Sequence, residues 1–185
     1  FAINLGSALW LQLLPIHLDH SGLTAVWIGA IIIGQSVATS IMSLPSGKLS
    51  DLIGRKAPLV IGSGLLVITT FLLYFPVNSI VIFILVVLTG VFTGLTIPAV
   101  IALIAESAPP TQTGMAYASY YFSVILATVV GSAFSGILAD LLGFPSLFLI
   151  GAVVSAFAFF ILYFFIRETV ITENSYRIAL KQSII

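Results

Sequence analysis

The ten residues Gly47 to Lys56, with the sequence GKLSDLIGRK, separate two long apolar stretches and hold three of the chain's six basic side chains. Charge is scarce elsewhere, since 6% of the 185 residues are charged and 60% are hydrophobic. A soluble domain has roughly 25% charged residues because its surface faces water. A chain with so little charge must present most of its surface to lipid, so we expect an integral membrane protein.

The stretch after these ten residues predicts several membrane crossings. No charged residue occurs between Lys56 and Glu106, a run of 49 residues. As one helix this run would be about 73 Å long, more than twice the roughly 30 Å of a hydrocarbon core. It must therefore fold back, and residues 75–79 (FPVNS) supply the turn signal. Two further uncharged runs, 107–139 and 141–166, are each long enough for one span.

We therefore predict an all-α membrane protein whose domain 1–166 is a bundle of six transmembrane helices joined by short loops. The predicted spans are 1–18, 24–46, 57–75, 79–105, 113–138 and 144–166. Because the chain begins inside an apolar run, we expect the first span to be truncated. Residues 167–185 are more polar, and we predict a cytoplasmic linker or an amphipathic tail there.

All six basic residues fall on one side of this six-span map. Three of them follow the second span, and the other three, Arg167, Arg177 and Lys181, follow the sixth. Basic residues remain in the cytoplasm because carrying them across the bilayer during insertion is costly. We therefore expect both ends of the chain to be cytoplasmic, in a plasma (inner) membrane.

A copy of the segment after the second predicted span occurs after the fifth. Residues 47–54 read GKLSDLIG and residues 136–143 read GILADLLG, with Gly, Leu, Asp, Leu and Gly at the same spacing. Three spans separate the copies, which is an odd number, so the copies lie on opposite membrane faces. This pattern predicts a 3+3 inverted repeat, an arrangement common in transporters.

Residues 47–56 resemble the signature loop of the major facilitator superfamily, G-x-L-[AS]-D-x-x-G-R-[KR], although Leu52 stands where many members carry Arg. In that family the loop joins the second and third helices of a half on the cytoplasmic side. The resemblance implies that the chain is one six-helix half of a twelve-helix transporter. The nearly complete loop favours the N-terminal half.

The resemblance also implies that this loop is a conformational latch between the two halves. The latch residues are Gly47, Asp51, Gly54, Arg55 and Lys56. The alternative interpretation is that the basic residues only anchor the topology.

Neutral polar and aromatic side chains must line any solute cavity, because no charged residue lies near the middle of a predicted span. The family places the first and fourth helices of a half at the central cavity. The candidates are Asn4, Gln12, Gln35, Thr93 and Tyr120. The alternative is that such hydroxyls bond to their own backbone and that Tyr marks the membrane interface.

The sequence favours a secondary active transporter that moves a small organic solute by alternating access. Its expected partners are the solute, the lipid bilayer, the second six-helix half and, if transport is coupled, a proton. We expect no nucleic-acid partner, because the net charge is zero. A non-transporting scaffold or receptor is the alternative.

An intramembrane enzyme is less favoured. The chain has no cysteine, and its two histidines, His17 and His20, lie together at one membrane edge. We therefore expect no catalytic residue, no metal site and no cofactor.

The topology can be tested with single cysteines in an otherwise cysteine-free full-length protein. Cysteines at Ser21 and Ser79 should react with an impermeant thiol reagent added outside intact cells, because both lie on the side without Lys or Arg. A cysteine at Thr111 should react only after the membrane is permeabilised. Labelling of Thr111→Cys in intact cells would contradict the six-span map.

Overall fold

The computed structural model describes residues 1–75, 78–109 and 111–166, and these residues form seven helices. In chain order they are α1 (Ala2–Leu11), α2 (Leu14–His20), α3 (Ala25–Ile53), α4 (Lys56–Leu72), α5 (Ser79–Ser107), α6 (Thr113–Leu142) and α7 (Pro145–Phe165). Pro15 has no backbone N–H and interrupts the first span, so α1 and α2 are its two parts. The predicted linker or tail at 167–185 lies outside the described residues.

The described helices are long and apolar enough for a membrane bundle. Four of them, α3, α5, α6 and α7, have 21 to 30 residues and the hydropathy of membrane spans. Helix α4 is also apolar and has 17 residues, which gives about 26 Å. Helices satisfy their backbone polar groups internally, as a lipid environment requires. The prediction of an all-α membrane protein with six spans is confirmed.

The helix of the second span extends seven residues beyond the predicted span. Helix α3 continues past residue 46 to Ile53, although Pro45 lies inside it. It ends where Gly54 adopts a φ of +99°, a conformation that favours glycine. Gly47, Lys48 and Asp51 therefore lie on a helix and not in a loop.

The described bundle repeats with a spacing of 89 residues, from Gly54 to Gly143. Both glycines have a positive φ, and each N–H donates to the carbonyl oxygen four residues earlier, at 3.1 and 2.9 Å. Six of the seven buried positions of α4 recur in α7 at the same spacing. The six pairs are Pro58 and Leu147, Leu59 and Phe148, Gly62 and Gly151, Ser63 and Ala152, Leu66 and Ser155, and Thr69 and Ala158.

Helix packing follows the same symmetry. Helix α3 packs on α5 as α6 packs on α1, and α4 packs on α5 as α7 packs on α1. Helices α4 and α7, which are equivalent in the repeat, pack on each other. The predicted 3+3 inverted repeat is therefore confirmed.

Two glycines bring α5 against the backbone of α3. A Cβ atom at Gly90 would lie 2.3 Å from the carbonyl oxygen of Gln35, and one at Gly94 would lie 2.4 Å from that of Thr39. The Thr39 hydroxyl donates to the Gly90 carbonyl oxygen at 3.0 Å. Small residues and interhelical hydrogen bonds are typical of helix contacts in membranes, so α3 and α5 form a closely packed pair.

Substitution of Gly90 tests this close approach. Gly90→Ala should lower the free energy of unfolding of the full-length protein in detergent by about 1–3 kcal/mol, because the added Cβ forces the two backbones apart. Gly29→Ala on α3 is the matched control, since a Cβ there meets no atom within 4 Å, and it should not destabilise the helix. Equal stability of the two variants would contradict the packing described.

Candidate functional site

Three charged side chains meet where α3 and α5 end and α4 begins. The Arg55 guanidinium donates from Nε and Nη2 to Glu106 Oε1, at 2.9 and 2.7 Å. Its Nη1 atom donates to Asp51 Oδ1 and, at 3.2 Å, to Ser50 Oγ. We call Arg55, Asp51 and Glu106 the Arg55 cluster.

The guanidinium is the enclosed member of the Arg55 cluster. The Arg55 side chain is 13% exposed, whereas those of Asp51 and Glu106 are 67% and 33% exposed. The hydrogen bond to Glu106 raises the pKa of Arg55 above its ordinary value. Arg55 is therefore a permanent cation at the junction of three helices.

Helix electrostatics explain why a cation belongs at this junction. Asp51 and Glu106 lie in the last turns of α3 and α5, where the helix dipole is negative and a carboxylate is unfavourable. Arg55 compensates both carboxylates and both helix ends. The cluster therefore ties the end of α3 to the end of α5.

Glu106 is the member of the Arg55 cluster that the sequence interpretation did not include among the predicted latch residues. A signal for it was present, because it is the acidic residue that ends the fourth predicted span on the same side as Arg55. The motif itself contains a partner for Arg55, because Asp51 lies four residues earlier. The sequence therefore gave no reason to look for a second partner 51 residues away.

The other predicted latch residues occupy separate positions at the same end of the bundle. Gly54 forms the turn between α3 and α4. Lys56 begins α4, and its Nζ atom lies 5.7 Å from the centre of the Tyr163 ring on α7, within reach of a cation–π contact. Gly47 lies on the open side of α3, where a Cβ would meet no atom within 4 Å.

Three of the predicted cavity residues form contacts within the bundle. Gln12 accepts a hydrogen bond from Ser132 Oγ, which joins α1 to α6. The Gln35 amide nitrogen lies 3.5 Å from the Thr89 hydroxyl, between α3 and α5. The Thr93 hydroxyl donates at 2.7 Å to the Thr89 carbonyl oxygen of its own helix.

Tyr120 borders a cavity of about 590 Å³ between the end of α5 and the start of α6. Ser119 and Phe1 also line this cavity, and the Tyr120 ring contacts Tyr121 with centroids 5.3 Å apart. Asn4 is partly buried on α1. Among the described residues, no hydrogen bond or ring contact joins any two of the five predicted cavity residues.

An inverted repeat of three spans, with a charged cluster at the turn between its second and third helices, defines the chain as a transporter-like membrane bundle. The chain belongs to the Major Facilitator Superfamily, whose family model matches residues 1–185. The resemblance noted in the sequence is thereby confirmed.

Named relatives agree with this assignment. The chain is 28% identical over 183 residues to an uncharacterized MFS-type transporter of Methanocaldococcus jannaschii, covering 98% of this chain and 47% of the relative. It is 31% identical over 174 residues to the multidrug resistance protein MdtG of Proteus mirabilis, covering 91% and 43%. It is 29% identical over 142 residues to the quinolone resistance protein NorA of Staphylococcus aureus, covering 76% and 36%. The chain thus spans less than half the length of these relatives.

A double-mutant cycle measures the Arg55–Glu106 contact. Arg55→Gln and Glu106→Gln should each lower the free energy of unfolding of the full-length protein by about 1 kcal/mol, since the pair is partly exposed. The double variant should lose little more than either single variant, because the two residues contact each other. Raising the salt concentration should reduce the coupling.

Lys48→Gln is the matched control, because Lys48 is exposed on α3. Its effect should be small and should add to that of Glu106→Gln. If Arg55→Gln and Glu106→Gln were also additive, the ion pair would make no energetic contribution.

Proposed function

We propose that the chain is the N-terminal half of a secondary active transporter that moves a small organic solute by alternating access. The observation that carries this proposal is the Arg55 cluster, which ties α3 to α5 within the signature segment of the family. A partly exposed ion pair of this kind is weak compared with folding, but a change of 1.4 kcal/mol shifts a two-state equilibrium tenfold. The cluster is therefore suited to biasing a gate.

The proposed partner is a second six-helix half of the same chain. Helices α3 and α6, which are equivalent in the repeat, are the least buried of the four long spans. Gly47 and Gly136, at equivalent positions on them, would each present an added Cβ to open space. The relatives named above are more than twice as long as the part matched, which supports a covering half supplied by the rest of the protein.

We propose a drug-like organic compound as the solute class. Two relatives are named for multidrug and quinolone resistance. The predicted cavity residues are neutral amides, a hydroxyl and a phenol, and Tyr120 adds an aromatic surface. Side chains of these kinds suit aromatic, weakly polar solutes through stacking and a few hydrogen bonds.

The proposed location is the plasma (inner) membrane with the Arg55 cluster on the cytoplasmic side, as the basic residues favour. A coupling proton would be carried by groups in the second half, because the acidic, basic and histidine side chains of the described spans lie at or near helix ends. We propose transport without enzymatic chemistry.

Asp51→Asn in the full-length protein tests the proposal. Loss of this charge should weaken closure at the Arg55 end, so the variant should fold normally, transport slowly and spend more time open to the cytoplasm. The gate is followed by thiol labelling of Ser119→Cys from the cytoplasmic side and of Ser36→Cys from outside. The labelling ratio should shift about tenfold toward the cytoplasmic side.

Lys48→Gln should leave both the ratio and the transport rate close to those of the parent protein, because Lys48 lies outside the Arg55 cluster. If Asp51→Asn changed neither quantity, the segment would only anchor the topology. Absence of any solute uptake or efflux by the parent protein would favour a scaffold or receptor instead.

A further inference from the structure

Four aromatic rings join the first span to α7 at the end of the bundle opposite the Arg55 cluster. The His17 imidazole stacks on the Phe144 ring, with centroids 3.9 Å apart and planes inclined by 6°. The Phe144 and Phe148 rings are nearly perpendicular with centroids 5.2 Å apart, and the Phe148 and Trp10 centroids are 5.5 Å apart. Trp10 and Phe148 are buried, whereas His17 and Phe144 are half-buried. We call the outer pair, His17 and Phe144, the His17 stack.

The inverted repeat makes the His17 stack equivalent to the Arg55–Glu106 pair. The spacing of 89 residues that relates Gly54 to Gly143 also relates His17 to Glu106 and Phe144 to Arg55. Each contact joins the last turn of one span to the turn between two others. The Arg55 cluster fixes the α3–α4 turn, and the His17 stack contacts the α6–α7 turn in the same way.

Membrane topology explains why the two contacts differ in chemistry. An arginine at position 144 would lie on the side where basic residues are excluded. A flat pair of rings provides a contact of similar reach without a positive charge, and aromatic pairs contribute beyond the area that they bury. An ion pair thus contacts the turn between two helices on one side, and ring stacking contacts the equivalent turn on the other side.

We infer that His17 and Phe144 are positioning residues that fix the α6–α7 turn for closure at their end of the transporter. This inference rests on the proposed alternating-access function. Because the two contacts lie at opposite ends of the bundle, weakening them must move the equilibrium in opposite directions. Loss of the His17 stack should favour the outward-open state, whereas Asp51→Asn favours the inward-open state.

His17→Leu in the full-length protein tests the inference, because leucine keeps an apolar side chain and removes the ring. With the Ser119→Cys and Ser36→Cys reporters, the labelling ratio should move about two- to tenfold toward the outside. His17→Phe restores a flat ring and should return the ratio to within about twofold of the parent value. Phe144→Leu should reproduce the shift, and Phe144→Tyr should not.

His20→Leu is the matched control, since His20 is exposed three residues further along the same helix. The inference is overturned if His17→Leu leaves the ratio unchanged, if His20→Leu shifts it equally, or if His17→Phe does not restore it. A shift by Asp51→Asn without one by His17→Leu overturns this inference alone. If neither substitution moves the ratio and the parent protein does not transport, the proposed function fails.

Discussion

The guanidinium of Arg55 lies at the start of α4 and joins the ends of α3 and α5, which would otherwise repel each other. Two carboxylates lie at the negative ends of α3 and α5, and the cation between them neutralises both. An apolar bundle has few such directional contacts, because its helices are surrounded by lipid as apolar as their own side chains. The position of the α3–α4 turn therefore depends on Arg55. The orientation of the exposed face of α3 depends on it as well.

At the other end of the bundle, the inverted repeat places the α6–α7 turn in the position equivalent to the α3–α4 turn. Gly54 and Gly143 form similar turns, and α4 and α7 bury matching positions, so the two ends have similar turn geometry. In the proposed topology the side chains differ because basic residues are unfavourable on the outer side of the membrane. The repeat thus places a contact at the equivalent position of each end. The proposed topology accounts for an ionic contact at one end and an aromatic contact at the other.

The sequence predicted the features that depend on composition, on the spacing of charged residues and on the repeated segment. The number of spans followed from the spacing of charges, and the repeat followed from two copies of one segment. The end of α3 was misplaced because hydropathy falls at Lys48, whereas the backbone hydrogen bonds continue until Gly54 changes φ. A decline in hydropathy marks the membrane boundary and not the end of a helix.

The sequence could not show which residues distant in the chain contact each other. Glu106 lies 51 residues from Arg55, and Phe144 lies still farther from His17. Their pairing required the packing of α5 and α7 to be known. Gln12 was predicted as a cavity residue on its chemistry, and the structure shows it bonded to Ser132 on α6, a contact that no local pattern indicates.

The central claim is that two ties at opposite ends of one half bias a single conformational equilibrium. The double variant Asp51→Asn/His17→Leu tests it most directly, with the ratio of cytoplasmic to outside labelling as the measurement. Distant sites that act on one equilibrium contribute additively, so the opposing shifts should largely cancel and the ratio should return toward the parent value. A double variant that keeps the full shift of Asp51→Asn, or shifts further in the same direction, would contradict the account.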